Sequence, residues 1–404
     1  MVQPLPDGTV LLEGEVSGVT GRWTSDGSTI ITEATIVQDD GTAIAVHQLG
    51  GTVDGIGMIA SHHPDVLRDG RRVRLAAQPT SGESMSVRQI LPGELQSFAD
   101  DESRADGVGS YGINRTQITK TPLAWASGCI HLSFHSVGSS HLAGNAEHRI
   151  IDQAAKEWET QSESCSGLAF STAVTDEPGA GRNRVNSVVF REEVWCRPAT
   201  DRGDPEICHD PNAIAVTQVF FVDDADSPRD GTILEADMEF NGVNFAFSDQ
   251  GRTLGDPSRT ADLRSTATHE LGHVLGMAHN CWTGVEERPA DHDGNLVPPC
   301  NDVSNDPEVI EATMYFQQDE GETKKATVEP SDVLGVCTAM AEINCDRVVR
   351  SGCSINPAGG PGSGGAGSGG SSGSGLVVAL FLGLLAIRRS GSRARASASA
   401  SACE

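Results

Sequence analysis

Three histidines and a glutamate lie within residues 269–279, which read HELGHVLGMAH. His269 and His273 are four residues apart, so on an α-helix both imidazoles project from one face. Gly276 can adopt a left-handed backbone conformation that most residues resist, and it predicts the end of that helix. The bend lets His279 swing back toward the first two histidines. This segment therefore requires a helix that ends in a tight turn beside a cluster of three imidazoles.

The three imidazoles indicate a catalytic zinc site. Three protein ligands leave the fourth position of a tetrahedral Zn²⁺ for water, whereas purely structural sites are closed. Zinc lowers the pKa of that water and polarises a substrate carbonyl. Glu270 lies beside the ligands and is the candidate general base, which takes the proton of the water and passes it to the leaving amine. The alternative is a metal site that only supports the fold, but a carboxylate that does not bind the metal has no task there.

Composition divides the chain into five segments. Residues 1–97 alternate short β-rich runs with glycine-rich breaks, which predicts a small all-β barrel or sandwich. Residues 98–120 are a polar linker, and residues 121–350 contain the histidine motif. Residues 351–375 are a Gly/Ser-rich linker, and residues 376–404 combine a short apolar run with an arginine-rich end.

The third segment predicts an α+β domain with one mixed sheet. A strand over residues 130–137 precedes a helix over residues 146–158, where apolar residues recur at helical spacing. Four further strands come before the zinc helix, at residues 168–174, 185–190, 214–222 and 233–240. The strand at 214–221 is either the edge of the sheet, to which a peptide substrate adds as a further strand, or an ordinary core strand.

Acidic side chains outnumber basic ones along the chain. Lys and Arg total 29 against 56 for Asp and Glu, which gives a net charge of −27. Because this charge repels phosphate backbones, we expect no nucleic-acid partner. Two acidic runs are either solvated loops, the favoured interpretation, or Ca²⁺ sites formed by Asp223, Asp224 and Asp226 and by Asp291, Asp293 and Asn295. The second run does not complete an EF-hand, since Leu296 stands where that loop needs glycine.

Ten cysteines begin at Cys129, and none forms a CxxC pair. An even set at moderate spacing indicates disulfides in an oxidising compartment, and the alternative is buried thiols in a cytosolic protein. Pairing of nearest neighbours would give Cys129–Cys165, Cys196–Cys208, Cys281–Cys300 and Cys337–Cys345, although spacing alone leaves the connectivity open. The remaining two, Cys353 and Cys403, lie in the tail.

Residues 269–279 match the pattern HExxHxxGxxH in full, and on this motif the chain resembles the metzincin metalloproteases. That family has a methionine beneath the zinc, on a tight turn after the third ligand, and the resemblance implies that Met314 is this Met-turn residue. The likeness is closest to the matrixins, whose C-terminal helix is similar to residues 331–336. It covers residues 121–350 and implies a metzincin-like catalytic domain, one zinc ion and peptide hydrolysis.

The C-terminal tail resembles a bacterial sorting signal of the Gly-Gly type. Its apolar run, residues 376–387, would span about 18 Å as a helix, which is short against a hydrocarbon core of about 30 Å. The run follows a glycine-rich stretch and ends in arginines, like the signals that rhomboid-like or related membrane proteases process. The resemblance implies that Cys353 is the processed position and that a sorting protease in the membrane is a partner.

The sequence therefore predicts a zinc endopeptidase that is secreted or attached to the cell surface, with a protein or peptide as substrate. We expect a monomer, and a signal peptide upstream of residue 1, because the first residues lack a basic region and an apolar run. One alternative is a surface-binding or adhesion protein with a vestigial zinc site. The other is a zinc hydrolase that acts on cell-wall cross-links, because the motif specifies the metal and the water but not the substrate pocket.

Overall fold

The computed structural model describes residues 8–61, 67–80, 84–91, 110–176, 179–249, 259–284, 287–340, 343 and 345. Residues 1–353 form one compact unit. The tail segments, with Cys353, Cys403 and the apolar run, lie outside the described residues. The described part is an α+β structure in which strands predominate, as the sequence predicts.

The N-terminal part forms a small closed barrel. The first seven strands are β1 (Val10–Trp23), β2 (Ile30–Val37), β3 (Ala43–Leu49), β4 (Gly51–Val53), β5 (Ile56–Ala60), β6 (Arg72–Pro79) and β7 (Met85–Ile90). Five of them follow one another around the barrel in the order β1-β2-β3-β7-β6. The barrel interior is apolar because alternate residues of each strand point inward, and Leu12, Val16, Ile36 and Leu75 are fully buried there. The barrel prediction is thereby confirmed.

The remainder of the described chain forms a mixed sheet with helices packed on it. The strands there are β8 (Gly112–Ile113), β9 (Ala124–Trp125), β10 (Cys129–His135), β11 (Ala169–Thr175), β12 (Asn186–Arg191), β13 (Cys196–Arg197), β14 (Ile207–Cys208), β15 (Ala215–Val222), β16 (Thr232–Asn241), β17 (Ala246–Ser248), β18 (Thr260–Asp262) and β19 (Met277–Ala278). The helices are α1 (Ala146–Ser162), α2 (Leu263–Val274), α3 (Pro307–Ile310) and α4 (Pro330–Met340), with a 3-10 turn at Lys324–Ala326. The four strands predicted between α1 and the histidine helix are present as β11, β12, β15 and β16, and four short strands that were not predicted, β13, β14, β17 and β18, also lie in this stretch.

Eight strands make up the large sheet, in the order β11-β10-β12-β16-β15-β5-β4, with β9 paired to β16. Strands β10, β11, β12 and β16 pair in parallel, whereas β15 runs antiparallel to both of its neighbours. The last two strands, β4 and β5, come from the N-terminal 97 residues. The large sheet is therefore completed by a hairpin that leaves the barrel.

Strand β15 is an interior strand of this sheet. It pairs with β16 on one side and with β5 on the other, from Ile56 opposite Val222 to Ala60 opposite Gln218. All eight of its residues are buried. Of the two alternatives for residues 214–221, the exposed sheet edge is wrong and the core strand is confirmed. The pairing partner lies more than 150 residues upstream, and a local pattern carries no information about such a contact.

Helix α1 packs against helix α2 beneath the sheet. The apolar residues at helical spacing in α1 are buried, among them Ile150, Ile151 and Trp158. The Trp158 indole nitrogen donates a hydrogen bond to the carbonyl of Thr268, at 2.8 Å, in the first half of α2. This contact sets the position of the histidine-bearing helix α2 against the core.

Four disulfides link the described cysteines, and two of the four nearest-neighbour pairs are correct. Cys196 is bonded to Cys208 and Cys281 to Cys300. The pairs Cys129–Cys165 and Cys337–Cys345 are wrong. The structure instead links Cys129 to Cys345 and Cys165 to Cys337. The cause is the packing of α4 against α1, which brings the end of the described chain back to the start of the domain.

Candidate metal centre

Helix α2 carries the first two histidines of the motif, and its ends are defined by local chemistry. The carboxylate of Asp262 caps the helix by accepting a hydrogen bond from the Ser265 N–H at 2.8 Å. Gly276 follows the helix with φ of +91°, and a Cβ there would lie 2.8 Å from the Leu123 carbonyl oxygen. Only glycine fits this turn comfortably, because a side chain would add strain to that close approach. The chain then reverses into β19, which pairs with β8.

The reversal brings His269, His273 and His279 together. Their candidate ligand atoms all lie within 4.8 Å of one another. The ring centroids are 4.8 Å apart for His269 and His273, 5.0 Å for His273 and His279, and 5.3 Å for His269 and His279. Three imidazole nitrogens grouped in this way are a donor set that zinc uses, with Zn–N bonds of about 2.0–2.1 Å.

Backbone carbonyls orient two of these rings. The Nδ1 of His269 donates to the Thr313 carbonyl at 2.6 Å, and the Nδ1 of His273 donates to the Met277 carbonyl at 2.9 Å. Each of these bonds directs the opposite nitrogen, Nε2, toward the cluster. Both Nε2 atoms are buried, and no described residue gives either one a hydrogen-bond partner. A buried acceptor without a partner is costly, and a metal ion at this place would satisfy both nitrogens.

Burial also sets the charge of the ligands. It lowers the pKa of His273 to about 4 and the pKa of His269 well below its ordinary value. Both imidazoles are therefore neutral at pH 7, which is the form that binds a metal. His279 is only partly buried, so the cluster is more open on that side. Its ring lies 6.4 Å from the ring of Phe316.

Glu270 is buried next to the histidines on the same helix. Burial raises the pKa of its carboxyl to about 7, while a hydrogen bond from Thr217 and the charge of Lys325 act in the opposite direction. The Thr217 hydroxyl donates to the Glu270 Oε2 at 2.6 Å. A carboxyl with a pKa near neutrality can both accept and return a proton, which is what a general base of this kind needs.

Met314 lies on a tight turn that packs against helix α2. The Met314 N–H donates to Asp332 Oδ1 at 3.2 Å, and the Met314 carbonyl accepts from the Asn280 N–H at 3.1 Å. A Cβ at Gly272, in the last turn of α2, would collide with the Met314 sulfur and would lie 3.1 Å from the Trp158 ring. The glycine inside the motif is therefore what allows Met314 to approach the helix between the first two ligands.

Three residues around the centre were not identified as site residues from the sequence. Thr217 holds Glu270 from strand β15, and Asp332 at the start of α4 accepts hydrogen bonds from the Thr313 and Met314 N–H groups. Lys325 is buried, and its ammonium donates to the carbonyls of Tyr315 and Gln317. Each acts through a tertiary contact. Residues 331–336 were matched to a helix, but that match gave no role to Asp332.

The candidate calcium ligands are used differently by the structure. The buried Asp223 carboxylate accepts from Thr52 and from the Gln117 and Ile118 N–H groups. Asp291 accepts from Asp293 and Asn295 within its own turn. Among the described residues, neither acidic run forms a group of three candidate ligands. Apart from the three histidines, such a group is formed by Cys196, Glu206 and Cys208, but both of its sulfurs are bonded to each other in a disulfide.

Comparisons with known proteins leave the site to be judged by its own geometry. No protein-family model matches the chain, and no curated protein sequence is similar to it. The four disulfides are consistent with an extracellular protein. Among the described residues, no helix is both long enough and apolar enough to cross a membrane.

Proposed function

We propose that this chain is a zinc-dependent endopeptidase of the metzincin type, similar to the matrixins. The observation that carries the proposal is the cluster of His269, His273 and His279, in which two buried Nε2 atoms have no hydrogen-bond partner among the described residues. Glu270 beside the cluster separates this site from a purely structural one, because it is a buried carboxyl held by Thr217 rather than a further ligand. Met314 supports the helix from below as a Met-turn residue.

Each residue of the site has a separate role in the proposed reaction. His269, His273 and His279 would hold Zn²⁺, which when bound polarises the scissile carbonyl and acidifies a water molecule. Glu270 takes the proton of the attacking water as the oxygen joins the carbonyl carbon. It then delivers this proton to the amine nitrogen as the carbon–nitrogen bond breaks. Thr217 fixes one oxygen of the Glu270 carboxylate, which leaves the other for the proton.

The location of the proposed enzyme is inferred from its cysteines and its C-terminal tail. Disulfide formation and the sorting-like tail both support export, with Cys353 as the processed position and a membrane protease as the processing partner. In this proposal the mature enzyme is a monomer at the cell surface or released from it. Its substrate is a protein or peptide.

Hydrolysis by wild type and by Glu270→Gln tests the proposal. Both proteins are purified with Zn²⁺ and incubated for long times with casein and, in parallel, with purified cell wall. We expect cleavage of casein by the wild type and a loss of about 10²–10⁴-fold in Glu270→Gln, which is the usual contribution of a general base. Cleavage of cell wall alone would indicate a cross-link hydrolase. Cleavage of neither substrate by the zinc-loaded wild type, nor by variants in which the strand next to β15 is loosened, would favour an adhesion protein.

A further inference from the structure

Ser61, which directly follows strand β5, lies against Thr217, the residue of β15 that donates a hydrogen bond to Glu270. The Ser61 N–H donates to the Thr217 carbonyl at 2.9 Å, and the Thr217 N–H donates to the Ser61 hydroxyl at 3.0 Å. Thr217 in turn donates its own hydroxyl to Glu270. Two consecutive hydrogen-bonded contacts therefore connect the N-terminal hairpin to the candidate base.

These backbone groups are the ones that a substrate strand would use. An extended peptide that adds to a sheet bonds to the free N–H and C=O groups of the outermost strand. On β15 those groups face β5 from Gln218 to Val222, and Ser61 extends the contact to Thr217. A peptide cannot pair with β15 beside Glu270 while the segment that ends at Ser61 is in place.

The hairpin is held on both sides. At its turn, the Thr52 hydroxyl donates to the Asp223 carboxylate, and the Asp223 N–H donates to the Gly55 carbonyl at 2.9 Å. In its middle, Met58 is fully buried in an apolar cluster that joins barrel residues to Phe220 of β15. Gly57 packs flat against the Phe221 ring, which would collide with any side chain at this position.

We propose that the β4–β5 hairpin keeps this enzyme latent by occupying the strand position of its peptide substrate. Peptide access then requires β5 to leave β15, through removal or displacement of the N-terminal barrel. The inference rests on the proposed function, and it adds the way in which the site is regulated. This form of latency does not require a cysteine that blocks the metal. The described residues of the barrel include no cysteine.

Two substitutions in the full-length chain release the hairpin in different ways. Gly57→Ala places a methyl group into the Phe221 ring and so weakens the pairing of β5 with β15. Ser61→Pro removes the N–H that bonds to Thr217 at the end of the strand, where it disturbs folding least. Gly179→Ala is the matched control, because its methyl group would meet only Val189 at an ordinary 3.9 Å.

Each zinc-loaded protein is assayed for casein hydrolysis and, separately, for binding of a fluorescent peptide hydroxamate. We expect both release variants to raise hydrolysis and hydroxamate affinity at least about tenfold, because apparent affinity scales with the fraction of molecules that are competent to bind. Gly179→Ala should match the wild type. If Gly57→Ala does not fold, Ser61→Pro decides the test.

The two measurements separate this inference from the proposed function. Equal hydroxamate affinity in wild type and release variants would overturn the inference, and so would equal casein hydrolysis. Higher hydroxamate affinity without hydrolysis in any variant would support the latent hairpin and count against the endopeptidase. Hydrolysis that is already maximal in the wild type would support the endopeptidase and refute latency.

Discussion

The charge state of one buried side chain, Glu270, determines when the proposed reaction can run. The carboxylate is the form that accepts a proton, and burial raises its pKa, so activity should increase as the pH rises through that pKa. The hydrogen bond from Thr217 favours the charged form and holds the pKa lower than burial alone would.

Thr217→Val should therefore shift the acid limb of kcat/KM to higher pH. A hydrogen bond to a charged group is worth about 1.5–3 kcal/mol, which corresponds to a shift of about one pH unit or more. A bound metal lowers the pKa in both proteins, so the difference between their pH profiles is the measurement. Thr172→Val, at an exposed position of β11, is the control and should leave the profile unchanged. An unshifted limb in Thr217→Val would show that this hydroxyl does not tune Glu270.

A substitution at Gly272 tests how closely Met314 packs against helix α2. Gly272→Ala forces a methyl group against the Met314 sulfur and the Trp158 ring. Overpacking of this kind costs about 1–3 kcal/mol, so we expect that loss in the free energy of unfolding, together with weaker zinc binding. Urea denaturation with and without zinc measures both effects. A loss of less than about 0.5 kcal/mol, which is the size of the effect at neutral surface sites, would contradict the close approach of Met314.

At the scale of elements, the disulfides that tie α4 to the rest of the domain should matter most. Cys165–Cys337 joins residues 172 positions apart, whereas Cys196–Cys208 joins residues 12 positions apart. A cross-link restricts the unfolded chain more when it closes a longer loop.

Replacement of Cys165 and Cys337 by serine should therefore lower stability more than replacement of Cys196 and Cys208. The expected loss for the first pair lies in the upper part of the range of about 2–5 kcal/mol. Thermal or denaturant unfolding of the two double variants gives the comparison directly. The reverse order would mean that strain or residual structure, rather than loop length, governs these cross-links.

The elements also show which features a sequence can predict. Helix α2 and its abrupt end were predictable because the ligand spacing and Gly276 act within one turn of the chain. The interior position of β15 was not, because its partner β5 comes from the barrel. The same limit applies to Thr217, which lies 53 residues before the glutamate that it holds, and to Cys337, whose partner is 172 residues away.

Across the whole molecule, a buried charge network binds the barrel to the large sheet. Glu239 of β16 accepts from Arg191 at 2.6 Å and from Arg197 at 3.0 Å, and Arg197 also donates to Thr29 next to β2. Burial by itself would raise the pKa of Glu239, but the two arginines outweigh it and hold the pKa well below its usual range. A carboxyl whose pKa is lowered on folding stabilises the protein above its unfolded pKa, and this stability is lost as the pH falls below that value.

Glu239→Gln should cost about 3–5 kcal/mol at pH 7, because it leaves the buried Arg197 without its counter-charge and removes the partner of the partly exposed Arg191. The variant should also lose part of the decline in stability that the wild type shows below pH 4.5, the ordinary pKa of this carboxyl. Denaturation curves recorded between about pH 3 and pH 7 measure both effects. A variant as stable as the wild type at pH 7 would contradict the role of this network.

Zinc content per chain is the measurement that tests the central claim most directly. Full-length wild type, Glu270→Gln and His273→Gln are dialysed against trace Zn²⁺, and bound metal is quantified by elemental mass spectrometry. We predict about one zinc per chain in the wild type and in Glu270→Gln. We predict that His273→Gln loses most of its bound zinc, because a site with three protein ligands loses most of its affinity when one ligand is removed. A folded wild type that binds no zinc, or a His273→Gln variant that keeps it fully, would contradict the assignment of the metal centre.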